Sequence, residues 1–176
     1  MKKTFDKIRK ATLHDVLEIK ALHEDVLKED IHNLIPYIEE LTNDFISNEL
    51  NECHKRGFAF VVEKDNKIIG YVKAFTGTFA KESHILKNAR IIFSKEVQKT
   101  VIPYRTLKYI EDYIYSEMPH IMLFQVEVHS HNISSIRLYE KIGFKKIAEI
   151  PNGLKLKNEK FINQTILLKQ SIRINN

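Results

Sequence analysis

The stretch Asn132-Ile-Ser-Ser-Ile-Arg-Leu-Tyr-Glu-Lys-Ile-Gly-Phe144 is the most informative part of this 176-residue sequence. Apolar runs rich in β-branched and aromatic residues flank it, over 121–128 and 144–150. Asparagine is favoured at a helix N-cap and glycine at the residue that follows a helix, which are the positions of Asn132 and Gly143. The stretch therefore predicts a helix between two strands in the second half of the chain.

The spacing of apolar residues predicts the other elements. They are a strand over 5–11, two helices within 12–55, a hairpin of 58–63 and 67–75, a loop over 76–88, a strand over 89–93, a helix from Pro103 to Pro119 and a last strand over 161–169. Thr12 and Asp15 have the spacing of a capping box, and Asp65-Asn66 is a turn signal. The order predicts one mixed α/β domain over residues 1–176.

The 132–144 stretch resembles a signature block of the Gcn5-related N-acetyltransferase (GNAT) superfamily. The residues that match it in order and spacing are Asn132, Ser135, Tyr139, Lys141, Gly143 and Phe144. The predicted hairpin and the opening stretch Ile8–Asp15 are similar to the family's corresponding segments, so the resemblance covers nearly the whole chain. It implies a mixed, mostly antiparallel central sheet flanked by helices, in which the fourth and fifth strands splay apart.

The resemblance also implies an activity. A GNAT enzyme moves an acetyl group from acetyl-CoA, its co-substrate, to a primary amine, which here would belong to a small molecule or to an exposed protein site. The thioester would lie between the splayed strands, which correspond to 89–93 and 121–128. The backbone of Ile91 and Phe93 would then meet the acetyl and pantetheine groups.

Two residues of the signature block have roles in the family. Tyr139 corresponds to the tyrosine that protonates the leaving thiolate, and a phenol carries its proton at neutral pH. Asn132 corresponds to an asparagine that contacts the cofactor. The structural alternatives are a tyrosine packed in the core and an asparagine that only caps its helix.

The general base stays open between three candidates. Glu127 lies on the predicted fifth strand, next to the splay. His129 lies at the end of that strand and has an intrinsic pKa suited to the task. The third candidate is an acidic residue of the first two helices, acting through a water molecule.

The stretch Gln98-Lys99-Thr100-Val101-Ile102-Pro103 stands where the family has a pyrophosphate-binding loop, Gln/Arg-x-x-Gly-x-Gly/Ala. Such a loop binds phosphate through backbone N–H groups at the start of a helix. Val101 and Pro103 stand in place of glycines, and proline has no backbone N–H. We therefore expect a weakened phosphate cradle. The alternatives are an enzyme for a different acyl-CoA, or a non-catalytic binding or regulatory protein on the GNAT fold.

The net charge of +5, from 28 basic and 23 acidic residues, hides two opposite regions. Residues 12–52 carry eleven acids against two lysines, and 141–176 carry eight cations against two acids. An acidic rim on the first two helices would attract a cationic acceptor. The C-terminal cations are dispersed over two strands and a turn, so no nucleic-acid partner is expected.

The remaining expectations concern the acceptor, metals, membranes and assembly. Acceptor choice would depend on segments 30–36, 76–88 and 151–160, and the final strand is a candidate homodimer contact. A lone Cys53 excludes an internal disulfide, and His129 with His131 lacks a third ligand, so no metal is expected. With no apolar run of about 18 residues and no apolar stretch after the basic N-terminus, we expect a cytoplasmic protein without a membrane partner or signal peptide.

Overall fold

The computed structural model describes residues 7–29, 36–156 and 159–171. Within these residues the strands are β1 (Lys7–Lys10), β2 (Gly57–Lys64), β3 (Lys67–Thr76), β4 (Ile85–Phe93), β5 (Leu123–His129), β6 (Lys145–Lys155) and β7 (Phe161–Gln170). The α-helices are α1 (Val16–Glu29), α2 (Asn43–Arg56), α3 (Lys95–Gln98), α4 (Ile102–Glu117) and α5 (Ile133–Lys141). Residues 5–6 of the predicted first strand and residues 30–35 of the segment between the first two helices lie outside the described residues.

One sheet contains all seven of these strands, in the order β1-β2-β3-β4-β5-β7-β6. Neighbouring strands are antiparallel except for β4 and β5, which run parallel. β4 and β5 pair through Ile85 with Leu123 and through Leu86 with Phe124, near the starts of both strands, and then part. The predicted mixed, mostly antiparallel sheet with splayed fourth and fifth strands is therefore confirmed.

Helices cover both faces of the sheet. Side chains alternate between the faces along a strand, so adjacent residues of β3 belong to different layers. Tyr71 packs with Ile19 of α1 on what we call the α1/α2 face. Val72 packs on the opposite, α4/α5 face, where Leu107 and Tyr139 also lie. No helix among the described residues has both the length and the apolarity to cross a membrane.

The predicted starts and turns are confirmed where the structure describes them. The Thr12 N–H donates to the Asp15 carboxylate at 2.7 Å, which completes the capping box ahead of α1. The Arg9 guanidinium binds both oxygens of Asp15, at 2.7 and 2.8 Å, and so ties β1 to the helix start. Asp65 and Asn66 have φ angles of 50° and 59°, the left-handed values that a two-residue hairpin turn favours.

Two predicted boundaries are wrong. The predicted loop over 76–88 ends early, because β4 already begins at Ile85. Asn88 has a φ of 53° close to an irregularity in the β3–β4 register, and this irregularity hides the strand period from the sequence. The strand predicted over 144–150 runs on to Lys155, since Pro151-Asn152-Gly153 forms an irregularity within β6 and does not end it.

The last strand, β7, lies inside the sheet between β5 and β6. Both of its edges are paired, so the homodimer contact expected on it has no free strand edge there. In the described part of the chain, the edge strand of this half of the sheet is β6, most of whose residues are exposed.

Candidate active site

The parting of β4 and β5 opens a groove of about 280 Å³ through the sheet. β4 and β5 form its two sides, and α5 and the segment before α4 close it on the α4/α5 face. The predicted site residues that line the groove are Ile91, Phe93, Gln98, Thr100, Pro103, Glu127, Asn132 and Tyr139. The predicted site residues outside its lining are Lys99, Val101 and His129.

Tyr139 reaches the groove from α5, on the α4/α5 face. The helix ends before Gly143, whose φ of 95° turns the chain back, and the Phe144 ring then lies 5.6 Å from the Tyr139 ring. Burial raises the pKa of Tyr139 above its ordinary value, so the phenol is protonated at neutral pH. Among the described residues, no group forms a hydrogen bond with its hydroxyl. The hydroxyl is therefore available to a ligand in the groove.

Asn132 caps α5 and lines the groove at the same time. Its Oδ1 accepts hydrogen bonds from the Ser135 N–H at 3.1 Å and from the Ser134 hydroxyl at 2.9 Å. The cap therefore occupies the carbonyl end of the amide. The Nδ2 end has no part in the cap and can donate to a ligand.

The two residues that replace glycines in the 98–103 segment fit its backbone. Val101 has a φ of −77° and a ψ of −8°, values open to any residue, and it is 51% exposed. Pro103 lies in the first turn of α4, where a missing N–H breaks no helical hydrogen bond. Both residues therefore preserve the turn, and Pro103 alone removes a backbone N–H donor.

Side chains of the same segment hold it against β4. The Gln98 amide donates to the Phe93 carbonyl at 2.9 Å, which anchors the end of α3 to the end of β4. The Thr100 hydroxyl accepts from the Ile102 N–H at 3.2 Å and so takes up one donor of the first turn of α4. The donors of this turn that remain for a ligand are the amides of Val101 and Tyr104.

A lysine of the signature block approaches the same turn from α5. The Lys141 ammonium lies 4.8 Å from the centre of the Tyr104 ring, within reach of a cation–π interaction. Because Tyr104 belongs to the first turn of α4, Lys141 places a positive charge beside the 98–103 segment.

The candidate bases occupy different environments. Glu127 points to the α1/α2 face, opposite to Val126 and Val128. Its carboxylate accepts hydrogen bonds from the Gln164 amide at 2.8 Å and from the Gln125 amide at 3.1 Å, which hold it in the groove. His129 is buried outside the groove lining, and its ring lies 5.6 Å from that of His131. Of the two, the structure brings Glu127 to the groove.

The acids of the first two helices pair mostly with cations on the protein itself. Glu24 pairs with Lys20, Glu52 with Arg56, and Asp15 with Arg9. None of the described acids of residues 12–52 lines the groove. The expected acidic rim is therefore absent from the described part of the groove. No group of three or more His, Cys, Asp or Glu side chains within the described residues is placed to hold a metal ion.

The charged residue on the β4 side of the groove is Arg90, which sequence reasoning missed. It is the register partner of Lys73 on β3, and Glu49 of α2 bonds to both side chains, at 2.5 Å to Arg90 and 2.6 Å to Lys73. The sequence signal was present, because both cations stand at strand positions that alternate in phase with the buried Tyr71 and Ile92.

Comparisons with known proteins agree with this fold. The family model of the acetyltransferase (GNAT) domain matches residues 8–166. The GNAT-family acetyltransferase of Streptococcus pneumoniae superposes with a TM-score of 0.78 at 19% identity, over 94% of this chain and 99% of that chain. The ribosomal-protein-alanine N-acetyltransferase of Brucella melitensis superposes with a TM-score of 0.80 at 16% identity, over 94% and 100% of the two chains.

A third similar structure carries the co-substrate. The Salmonella typhimurium protein yncA, solved with its cofactor acetyl-CoA, has a TM-score of 0.80 at 17% identity, over 93% of this chain and 92% of that chain. A comparison with the sequences of curated proteins finds no match. At these identities the structures establish the fold, and the family model, which spans most of the chain, establishes the membership. The chain belongs to the GNAT family of acyl-CoA-dependent acetyltransferases.

Proposed function

We propose that this protein transfers an acetyl group from acetyl-CoA to a primary amine by direct attack, with Tyr139 as the general acid. The observation that carries the proposal is the meeting of three features at one groove. These are the parted strands β4 and β5, the Tyr139 hydroxyl that no described group occupies, and the Nδ2 donor of Asn132.

The groove suits a pantetheine thioester. Beyond Leu86 the β4 backbone is paired with β3 on one side, while its other side faces the groove. An extended amide-bearing chain can hydrogen-bond there as an added strand would. Ile91 and Phe93 lie along this edge and line the groove, and Asn132 faces them from the start of α5.

The two faces of the sheet supply different parts of the chemistry. In the transfer, the acceptor nitrogen forms a bond to the acetyl carbon and the carbon–sulfur bond breaks. Glu127, on the α1/α2 face, accepts the proton that the amine loses. Tyr139, on the α4/α5 face, donates its proton to the sulfur as it leaves. Burial raises the pKa of Tyr139, so the phenol carries its proton at neutral pH before the transfer begins.

The phosphate end of the co-substrate would rest on few donors. The Val101 and Tyr104 amides and the Lys141 ammonium are the groups that the first turn of α4 and its neighbour offer. A cation beside this turn partly replaces the N–H groups that a glycine loop would supply. This arrangement supports binding of the pyrophosphate at reduced affinity.

Two measurements test the proposal. Calorimetric titration should detect acetyl-CoA binding at or below millimolar concentration, and a thiol-release assay should detect amine-dependent turnover. We expect Tyr139→Phe to keep acetyl-CoA binding and to lower kcat about 100-fold, the usual contribution of a general acid. Tyr113→Phe is the matched control, since Tyr113 lies in the aromatic cluster with Phe58 and Phe60, outside the groove lining.

The alternative is a binding or regulatory protein, which the few phosphate donors favour. On that alternative, acetyl-CoA is not turned over, and Tyr139→Phe leaves the protein's function intact. Failure of acetyl-CoA to bind at millimolar concentration would refute the enzymatic proposal.

A further inference from the structure

Beneath α1 and α2, on the α1/α2 face, the sheet carries a cluster of charges with more cations than acids. Lys73 and Arg90 are directly opposite each other on β3 and β4, and Glu49 of α2 bonds to both. The side chains of Lys73, Glu49 and Arg90 are 3%, 13% and 13% exposed. One carboxylate thus balances two cations where little water can reach them.

The neighbouring polar side chains that the structure describes carry no negative charge that would neutralise the second cation. His23 is buried, and its Nδ1 lies 2.7 Å from the Ile19 carbonyl oxygen. Burial, and next the Arg90 charge, lower the pKa of His23 to about 3, so its ring is neutral. Burial also keeps Tyr71 protonated, and its hydroxyl finds no hydrogen-bond partner among the described residues. Counted over the described residues, the cluster therefore keeps one positive charge, and an unbalanced charge in a site with little water is costly unless an anion joins it.

One cation of this cluster lines the groove. Of Lys73, Glu49 and Arg90, it is Arg90 that lines the groove. Across the parting of the strands lies Glu127, on the same face of the sheet. A third charged residue of the lining, Lys95, is on α3, close to the phosphate-binding segment and away from this pair. The acceptor half of the groove thus has a cation on one wall and a carboxylate on the other.

We propose that Arg90 binds a carboxylate of the acceptor, so that the substrate is a small amine that also carries a carboxylate, as a free amino acid does. The guanidinium pairs with the substrate carboxylate, while the substrate amine faces Glu127 and the thioester. This inference rests on the proposed acetyl transfer and adds the chemical class of the acceptor. It replaces the cationic acceptor that the acid-rich N-terminal region suggested.

The first test uses the unaltered protein with acetyl-CoA and matched acceptors. Free α-amino acids and β-alanine are compared with their amides, which differ only in the loss of the carboxylate charge. The amine of an amide is less basic and more readily deprotonated, so chemistry alone favours the amide. We expect kcat/KM to be at least ~10-fold higher for the free acids, as for a charge-assisted hydrogen bond.

The second test uses variants of Arg90. Arg90→Gln should raise KM for the free acid by ~10- to 100-fold and leave kcat/KM for the amide within about threefold, because the lost bond is to the carboxylate. The KM of Arg90→Lys for the free acid should lie between those of the unaltered protein and of Arg90→Gln, because lysine keeps the positive charge but cannot bind a carboxylate with two parallel N–H groups. The matched control is Arg56→Gln, which also removes an arginine bonded to a glutamate of α2, outside the groove lining.

The outcomes separate this inference from the proposed function. If acetyl-CoA fails to bind the unaltered protein, the proposed function is refuted. If acetyl-CoA binds and the amides, a diamine or a lysine peptide are acetylated at least as well as the free acids, the carboxylate inference is overturned and the acetyl transfer stands. Acetyl-CoA binding with no acetylation of any free acid overturns it too. The comparison of acids with amides needs no variant, so it decides even if Arg90→Gln does not fold.

Discussion

At the scale of single residues, Asn132 combines a structural and a binding role in the two ends of one amide. The oxygen caps α5 through Ser134 and Ser135, and the nitrogen is left for a ligand. A helix cap alone would be served equally well by Ser or Asp. The cap alone therefore does not explain why residue 132 carries an amide. The capping role and the binding role can be separated by the choice of substitution.

We expect Asn132→Asp to preserve stability, because aspartate is as good an N-cap, and to weaken acetyl-CoA binding, because the Nδ2 donor is lost. Asn132→Ala should weaken binding and also lower the free energy of unfolding by about 1 kcal/mol. Calorimetry and urea denaturation measure the two effects. Thr42→Ala is the control, since Thr42 caps α2 through the Phe45 N–H at 3.1 Å and lies outside the groove lining. Unchanged binding in Asn132→Asp would leave the residue with its capping role alone.

At the scale of an element, the start of α4, where we propose that the phosphates bind, lacks one N–H donor because residue 103 is a proline. The Val101 backbone is ordinary and Pro103 is in a position where proline is favoured, so the turn itself is unstrained. Pro103 removes one backbone N–H that could otherwise donate to a ligand. The shape of the turn depends on backbone angles that Val101 and Pro103 both adopt, whereas the proposed binding of phosphates depends on the N–H groups that remain.

Restoring a donor should therefore strengthen binding. We expect Pro103→Ala to tighten acetyl-CoA binding by about threefold to tenfold, as one added hydrogen bond worth about 1 kcal/mol would. Binding of S-acetylpantetheine, which lacks the pyrophosphate, should not change. Titration of both ligands against both proteins makes the comparison. An equal gain for the two ligands would show that the substitution acts on the groove in general and not through the phosphates.

At the scale of the whole molecule, the topology could be predicted from sequence more completely than the site. The spacing of apolar residues predicted each of the seven described strands, and the resemblance carried by the 132–144 stretch predicted the mostly antiparallel sheet with its splayed strands. The β4 boundary was missed because the irregularity at Asn88 breaks the local period. Arg90 was missed because its contacts with Glu49 and Lys73, which are distant in sequence, form only when α2 packs on the sheet.

The stability of the whole fold should depend on pH through His23. Its pKa falls from 6.5 in the unfolded chain to about 3 in the fold, so below pH 6.5 the unfolded chain binds a proton that the folded chain does not. We expect the free energy of unfolding to fall as the pH drops from 6.5 toward 4.5, at up to about 1.4 kcal/mol per pH unit from this group.

Urea denaturation between pH 4.5 and 7.5 measures this slope. His23→Gln should flatten it whatever its effect on stability at pH 7.5, and the exposed His120→Gln should leave it unchanged. A slope that is the same in all three proteins would contradict the assignment to His23.

The parting of β4 and β5 has a mechanical consequence. Two residue pairs near the starts of β4 and β5 join these strands. The sheet therefore has two parts, one of β1 to β4 and one of β5, β7 and β6, which are paired with each other over a short stretch only. The proposed base, Glu127, and the proposed acid, Tyr139, belong to the second part and its helix α5. Arg90 and the edge of β4 proposed for the thioester belong to the first part. A ligand that hydrogen-bonds to both parts adds contacts across the gap between β4 and β5. Bound substrate would therefore make the sheet more rigid.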